Sequence, residues 1–232
     1  MIRLSEIIHI HSFERELIID FVSRLEIMID IYWPNKSIPL DYHRFKEIIN
    51  IIDGTDLLQR KYTASISIEM DWYENKWEAS FQIIDESKGK YLIKVNLRSF
   101  VTPLKKDNEW WITNINYEAL RNTIVHEFVH FKQKHWRSTP FKNPFQTKKS
   151  YFNRGHEQEA WAAGELEFIR QKIERHVNPN SIGKHMISIL KRYGLNSASM
   201  ITLKQTNFQA WKHIMKRAAM LAKAEIYSAD DD

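Results

Sequence analysis

Residues 126–130 read His-Glu-Phe-Val-His, two imidazoles four positions apart with a carboxylate beside the first. On a helix, residues four apart stand one turn apart on one face, so both rings can reach a single metal ion. Glu127, one position on, can instead address a water at that ion, take its proton as it attacks a carbonyl, and return the proton to the leaving amine. With the chain's 10 His and all 29 acidic residues counted as Glu, chance would place about 0.05 such patterns in 232 residues, so the spacing asks for a reason. The competing reading is a buried helix whose two histidines are satisfied by neighbours. Leu120, Ile124, Val125, Phe128, Val129 and Phe131 repeat at helical spacing, so both readings share the helix.

A third protein ligand is needed, and the chain has no cysteine, which leaves His, Asp or Glu. His135 lies five residues after His130. The pattern HExxHxxGxxH places its last histidine six residues on, after a helix-breaking glycine, and neither condition holds here. Better candidates follow in Arg154-Gly155-His156-Glu157-Gln158-Glu159-Ala160-Trp161, which opens a second helical pattern. Glu157 and Glu159 point to nearly opposite sides of a helix, so only one of them can be a ligand. His156 is the third alternative.

HEFVHFKQ, a loop, and then YFNRGHEQEAWAAGE together resemble the HExxH zinc metallopeptidases of the zincin-like, gluzincin type. The stretch is similar to small phage and bacterial zincin-like metallopeptidases with an ExEA motif, and to the ExxA(N/D) motif of ImmA/IrrE-like and HtpX-like peptidases. The resemblance covers about residues 90 to 170. It implies a zinc ion (Zn2+) held by His126, His130 and Glu157, with Glu127 as general base and acid in peptide-bond hydrolysis. Trp161 stands where that motif has Asn or Asp, a residue that supports a ligand histidine, so the support is unassigned. Arg154-Gly155-His156 also resembles the GH-containing motif of SprT-like proteases, which act on DNA-bound protein and take a histidine as third ligand. His156 or Tyr151 would otherwise hydrogen-bond a transition-state oxyanion.

The period changes along the chain. Helical spacing over the first 32 residues, and again over Tyr42 to Ile52, gives way to alternation in 63–73, 77–87 and 90–100. These three segments predict a small antiparallel meander, with a fourth short strand in NEWWITNI. Helices are then expected over Tyr117–Lys134, capped by Asn114 or Asn116, and over His156–His176, Ser181–Tyr193 and Phe208–Ile226. The fold expected is α+β: a zincin-like core over 56–176, with helical segments 1–55 and 177–232 packed on it. The strand 90–98 is a candidate edge for pairing with an extended substrate.

Composition bounds the partners. Six Gly and six Pro leave little flexible linker, and 43% hydrophobic with 27% charged residues is ordinary for a globular chain. The opening residues carry charges where a secretion signal needs an apolar run, and no stretch reaches the ~18 apolar residues of a membrane span. A cytoplasmic location is expected, in the host cytoplasm or a virion if the gene is a phage's, as the Ile, Lys and Asn content hints. The net charge of +5 is compatible with weak attraction to nucleic acid without requiring it; the densest basic cluster is Lys132 to Lys149. The expected partner is a protein or peptide substrate, and the terminal helices could dock a protein. A zincin fold kept for assembly or regulation is the non-enzymatic alternative.

Overall fold

Ile18, Phe21, Val22, Leu25 and Ile29 recur at steps of three and four, and they are the buried stripe of helix α1 (Ser12–Tyr32). The helix ends where Pro34 forbids helical geometry to the residue before it. Trp33 turns inward there, with its indole N–H donating to the Ile38 carbonyl at 2.6 Å. This computed structural model describes residues 12–45, 47, 65–71, 78–106, 109–137, 152, 154–178 and 181–228. The helix expected at 42–52 is therefore described only at 42–45 and 47, where the backbone is helical. The architecture is mixed α+β and divides into two compact units, Ser12–Phe128 and Val129–Asp232, with the division inside one helix.

Two three-stranded sheets form in the first unit. One contains β2 (Ser65–Asp71), β3 (Ala79–Asp85) and β4 (Lys90–Asn96) in the order β2-β4-β3. The expected meander is thereby corrected: β3 and β4 are an antiparallel hairpin, but β2 lies on the far side of β4 and parallel to it. Alternation specifies strands, not their neighbours. Tyr91, Leu92, Ile93 and Val95 are buried on both faces of β4, a pattern that belongs in the middle of a sheet. Strand 90–96 consequently has no free edge to offer a substrate. The hairpin turn expected at 87–89 is present: Gly89, at φ +61, donates its N–H to the Glu86 carbonyl, and Asp85 accepts from the Ser87 hydroxyl. The turn expected at 73–75 lies outside the described residues.

The second sheet pairs β1 (Leu40–Asp41), β6 (Glu109–Ile115) and β5 (Val101–Lys106) in the order β1-β6-β5. β6 is the strand read in NEWWITNI, whereas β5 was not anticipated. Its Pro103 sits at a register shift on an edge, where a missing N–H costs no ladder bond.

Helix α2 (Tyr117–Arg137) runs from the first unit into the second. The second unit continues with α3 (Gly155–Ile173), α4 (Ile182–Tyr193), α5 (Ala198–Thr206) and α6 (Phe208–Ser228). α6 packs against α3, α4 and α5 through Ala210, Ile214, Ala218, Leu221 and Ala222, spaced along one face. α4 comes so close that a Cβ on Gly183 would stand 2.8 Å from Ile226 Cγ1 and 3.1 Å from the Ala222 carbonyl oxygen. α5 was not expected. It buries only Met200 and Leu203, too few to make a periodic stripe, and its start is marked by Ser197 accepting from the Met200 N–H at 3.2 Å.

Candidate metal site

The phase of α2 is set at its first turn. Asn116 donates its backbone N–H to the Phe100 carbonyl (2.7 Å), and its side-chain oxygen accepts from the Ala119 N–H (2.9 Å). Asn116 is thus the cap, while Asn114 belongs to β6. Tyr117 follows, half-buried, with its phenol pushed well above the ordinary range by desolvation and then by the carboxylates of Asp30 and Glu26. From Ile124 to Gln133 every residue of α2 is buried, as befits a helix enclosed on all sides. His126, Glu127 and His130 are each less than a tenth exposed.

His126, His130 and Glu157 offer ligand atoms that all lie within 4.8 Å of one another, and the three are buried. This group could hold a metal ion. His130 Nε2 and Glu157 Oε2 are 3.3 Å apart. Two ligands of a tetrahedral divalent ion, each about 2.0–2.1 Å from it, stand about 3.3 Å apart, so this pair fits such an ion as it is placed.

Gln133, one turn beyond His130, decides which ring nitrogen faces that position. Its amide nitrogen donates to the His156 carbonyl and to Glu159 Oε2, both at 3.0 Å. Its oxygen lies 2.9 Å from His130 Nδ1. With both acceptors fixed, the amide oxygen can only accept, so His130 donates from Nδ1, and Nε2 is the ring nitrogen left to face Glu157. Sequence reading sought this support at the position of Trp161 and missed Gln133. The signal was there, a polar residue three after a candidate ligand histidine on one helix face.

The remaining candidates can be placed in turn. Glu159 is fully buried, accepts from Gln133, and is not one of the three converging residues. His156 Nε2 is 3.3 Å from Glu157 Oε1, so the glutamate is addressed by one imidazole on each oxygen, and the two rings stand 5.9 Å apart edge to face. Trp161 packs on Phe152 at 5.6 Å, while Gln158 donates to the Phe152 carbonyl at 2.9 Å, pinning the approach to α3. α2 continues through His135 without the break a third histidine on that run would need. Tyr151 and the basic loop 138–150 lie outside the described residues.

No helix among the described residues is long and apolar enough to cross a membrane. No model of a known family, no curated protein and no solved structure matches the chain.

Proposed function

We propose that the chain is a zinc-dependent endopeptidase of the zincin-like type. The observation that carries this reading is the buried His126–His130–Glu157 group with its 3.3 Å Nε2–Oε2 separation, beside a glutamate at position 127. Two imidazoles and one carboxylate, with no thiolate, are a donor set of catalytic zinc. Zinc bound there would polarise a substrate carbonyl and lower the pKa of the attacking water.

The chain's own residues supply the rest. Glu127, next to a ligand but 100° around the helix from it, accepts the water's proton on its carboxylate and passes it to the leaving amide nitrogen. Gln133 holds the His130 ring in the ligating tautomer, and His156 holds Glu157 Oε1. The burial of Glu127 keeps bulk water from competing for that proton. The SprT-like alternative, with His156 as third ligand, is less well supported, because the converging group contains Glu157 and the His156 nitrogen faces that carboxylate. A retained Glu127 favours an enzyme over a scaffold.

The test is zinc content after dialysis together with casein cleavage. Wild type is expected to hold about one zinc per chain and to cleave. Glu157→Ala should lose the metal. Glu127→Gln should keep the metal and lose activity by a factor on the order of a hundred or more. A wild type that takes up no zinc when supplied would sink the proposal, and one that binds zinc but cleaves as slowly as Glu127→Gln would reduce it to a binding site.

A further inference from the structure

Charge is distributed unevenly along this chain. Between Arg175 and Ala224 there are nine Lys or Arg and no Asp or Glu. At the chain's average acid content about six acidic residues would be expected in that length. The run carries a formal +9 against +5 for the whole chain, leaving −4 for everything else. All nine basic residues except Arg217 are exposed, so the charge is on the surface. Glu225, the first carboxylate beyond the run, is engaged with the Arg170 guanidinium.

These charges surround exposed rings. Lys212, Lys216 and Lys223 lie within about 40° of one another on α6 and span about 16 Å along it. At the head of this stripe Phe208, 48% exposed, stacks on Trp211 with planes 11° apart and centroids 5.7 Å apart. Lys204 of α5 lies 4.9 Å over the Trp211 ring, and Lys212 lies 5.3 Å over Phe208. The end of α4 closes on the same indole. Gly194, at φ +70, holds a backbone conformation that side chains rarely adopt, and a Cβ there would press on Trp211 at 3.1 Å. Beside it Tyr193 is 59% exposed with Arg192 over its ring. The other exposed side chains on α5 and its junction with α6 include Thr202, Gln205, Thr206 and Gln209, which carry hydroxyls and amides.

We infer that the α4–α5–α6 face binds single-stranded nucleic acid, with the lysine stripe on the phosphates and Tyr193 and Phe208 available to stack on bases. Three features favour this occupant over an anionic membrane or an acidic protein. Flat exposed rings beside cations suit bases next to phosphates, and they are sequence-tolerant. Hydroxyl and amide side chains between them suit phosphate and sugar oxygens. A membrane face would instead need a continuous protruding apolar row, and here Tyr193, Ile201 and Phe208 are separated by polar residues. The inference does not depend on the metal site.

The experiment is fluorescence anisotropy of the full chain with a labelled oligothymidylate of about 20 nucleotides, long enough for such a face, across a salt series. It is run after chelation, so that its outcome is separate from the zinc reading. Binding should weaken linearly in log K against log salt. The Lys212→Glu/Lys216→Glu/Lys223→Glu variant should lose roughly a hundredfold in affinity at low salt and about 2 from the slope. Phe208→Ala should weaken binding and leave the slope alone. Circular dichroism checks that the variants fold, and Lys→Gln replacements at the same positions stand in if the reversed charges prevent folding. Absence of binding at low salt, an unchanged affinity in both triple variants, or uptake by phosphatidylserine vesicles in place of the oligonucleotide would each overturn the inference.

Discussion

Helices α3 and α6 are of similar length, 19 and 21 residues, and pack against each other, yet they bury different chemistry. α6 hides Ala210, Ile214, Ala218, Leu221 and Ala222 and leaves its lysines in water. α3 hides Ala160, Ala162, Ala163, Leu166 and Ile169 as well, but with them Glu157, Gln158, Glu159, Glu165, Glu167 and Arg170. An apolar interior asks its neighbours only for shape. A buried carboxylate asks for a named partner, because desolvation without one is costly. α3 meets the demand one residue at a time: Glu157 through His130 and His156, Glu159 through Gln133, Glu165 through Ser197, and Arg170 through Glu167 and Glu225. α6 buries an apolar face alone, whereas α3 sets part of its own apolar burial against the cost of holding polar groups in place.

That contrast can be broken at either helix. The largest expected effect is on the apolar side: Ile214→Ala, at a fully buried position, should cost about 3 kcal/mol in urea unfolding at unchanged m. A loss below about 1 kcal/mol would mean that α6 is not packed as described. Next comes Glu165 on α3. Burial pushes its carboxyl up to about 7 from 4.5, opposed by its hydrogen bond from Ser197 and by Lys172. Between those two values the folded chain keeps a proton that the unfolded chain gives up, so this stabilisation is present below about pH 4.5 and is lost as pH rises through 7. Glu165→Gln has nothing to lose. Its stability relative to wild type should therefore grow across that window by an amount on the order of 3 kcal/mol and then level off. Parallel pH profiles for the two proteins would show that Glu165 is not held protonated. The smallest effect is the most local. If the proposed zinc site is right, Gln133→Met should weaken zinc binding by about 10- to 100-fold in chelator competition, and an affinity within about twofold of wild type would remove Gln133 from the site.

What could be read in advance follows the same division. Helices with an apolar stripe were legible: α1, the α2 run with its asparagine cap, α4 and α6. So were the two histidines four apart and Glu157 as one candidate among three. α5 was not, because two buried residues make no period. Nor was the order β2-β4-β3, since alternation says which face is buried and not which strand lies alongside. Gln133 escaped although its spacing from His130 was readable, because the two partners that fix its amide come from 23 and 26 residues away, across a loop. Glu159 could not be separated from Glu157 for the same reason.

Asn116 has a further consequence. It fastens the first turn of α2 to the Phe100 carbonyl, and nine residues separate it from His126. Each residue of helix turns the chain by 100° and advances it by about 1.5 Å. Adding or removing one residue in that interval would rotate both imidazoles a quarter-turn or more away from where they now point, while leaving every letter of His-Glu-Phe-Val-His intact. The working unit is then longer than five letters: an asparagine, nine residues of helix, and only then the histidine. Distance along the chain is itself one of the parts of this candidate site, and a relative with the same site could change most of those nine residues but not their number.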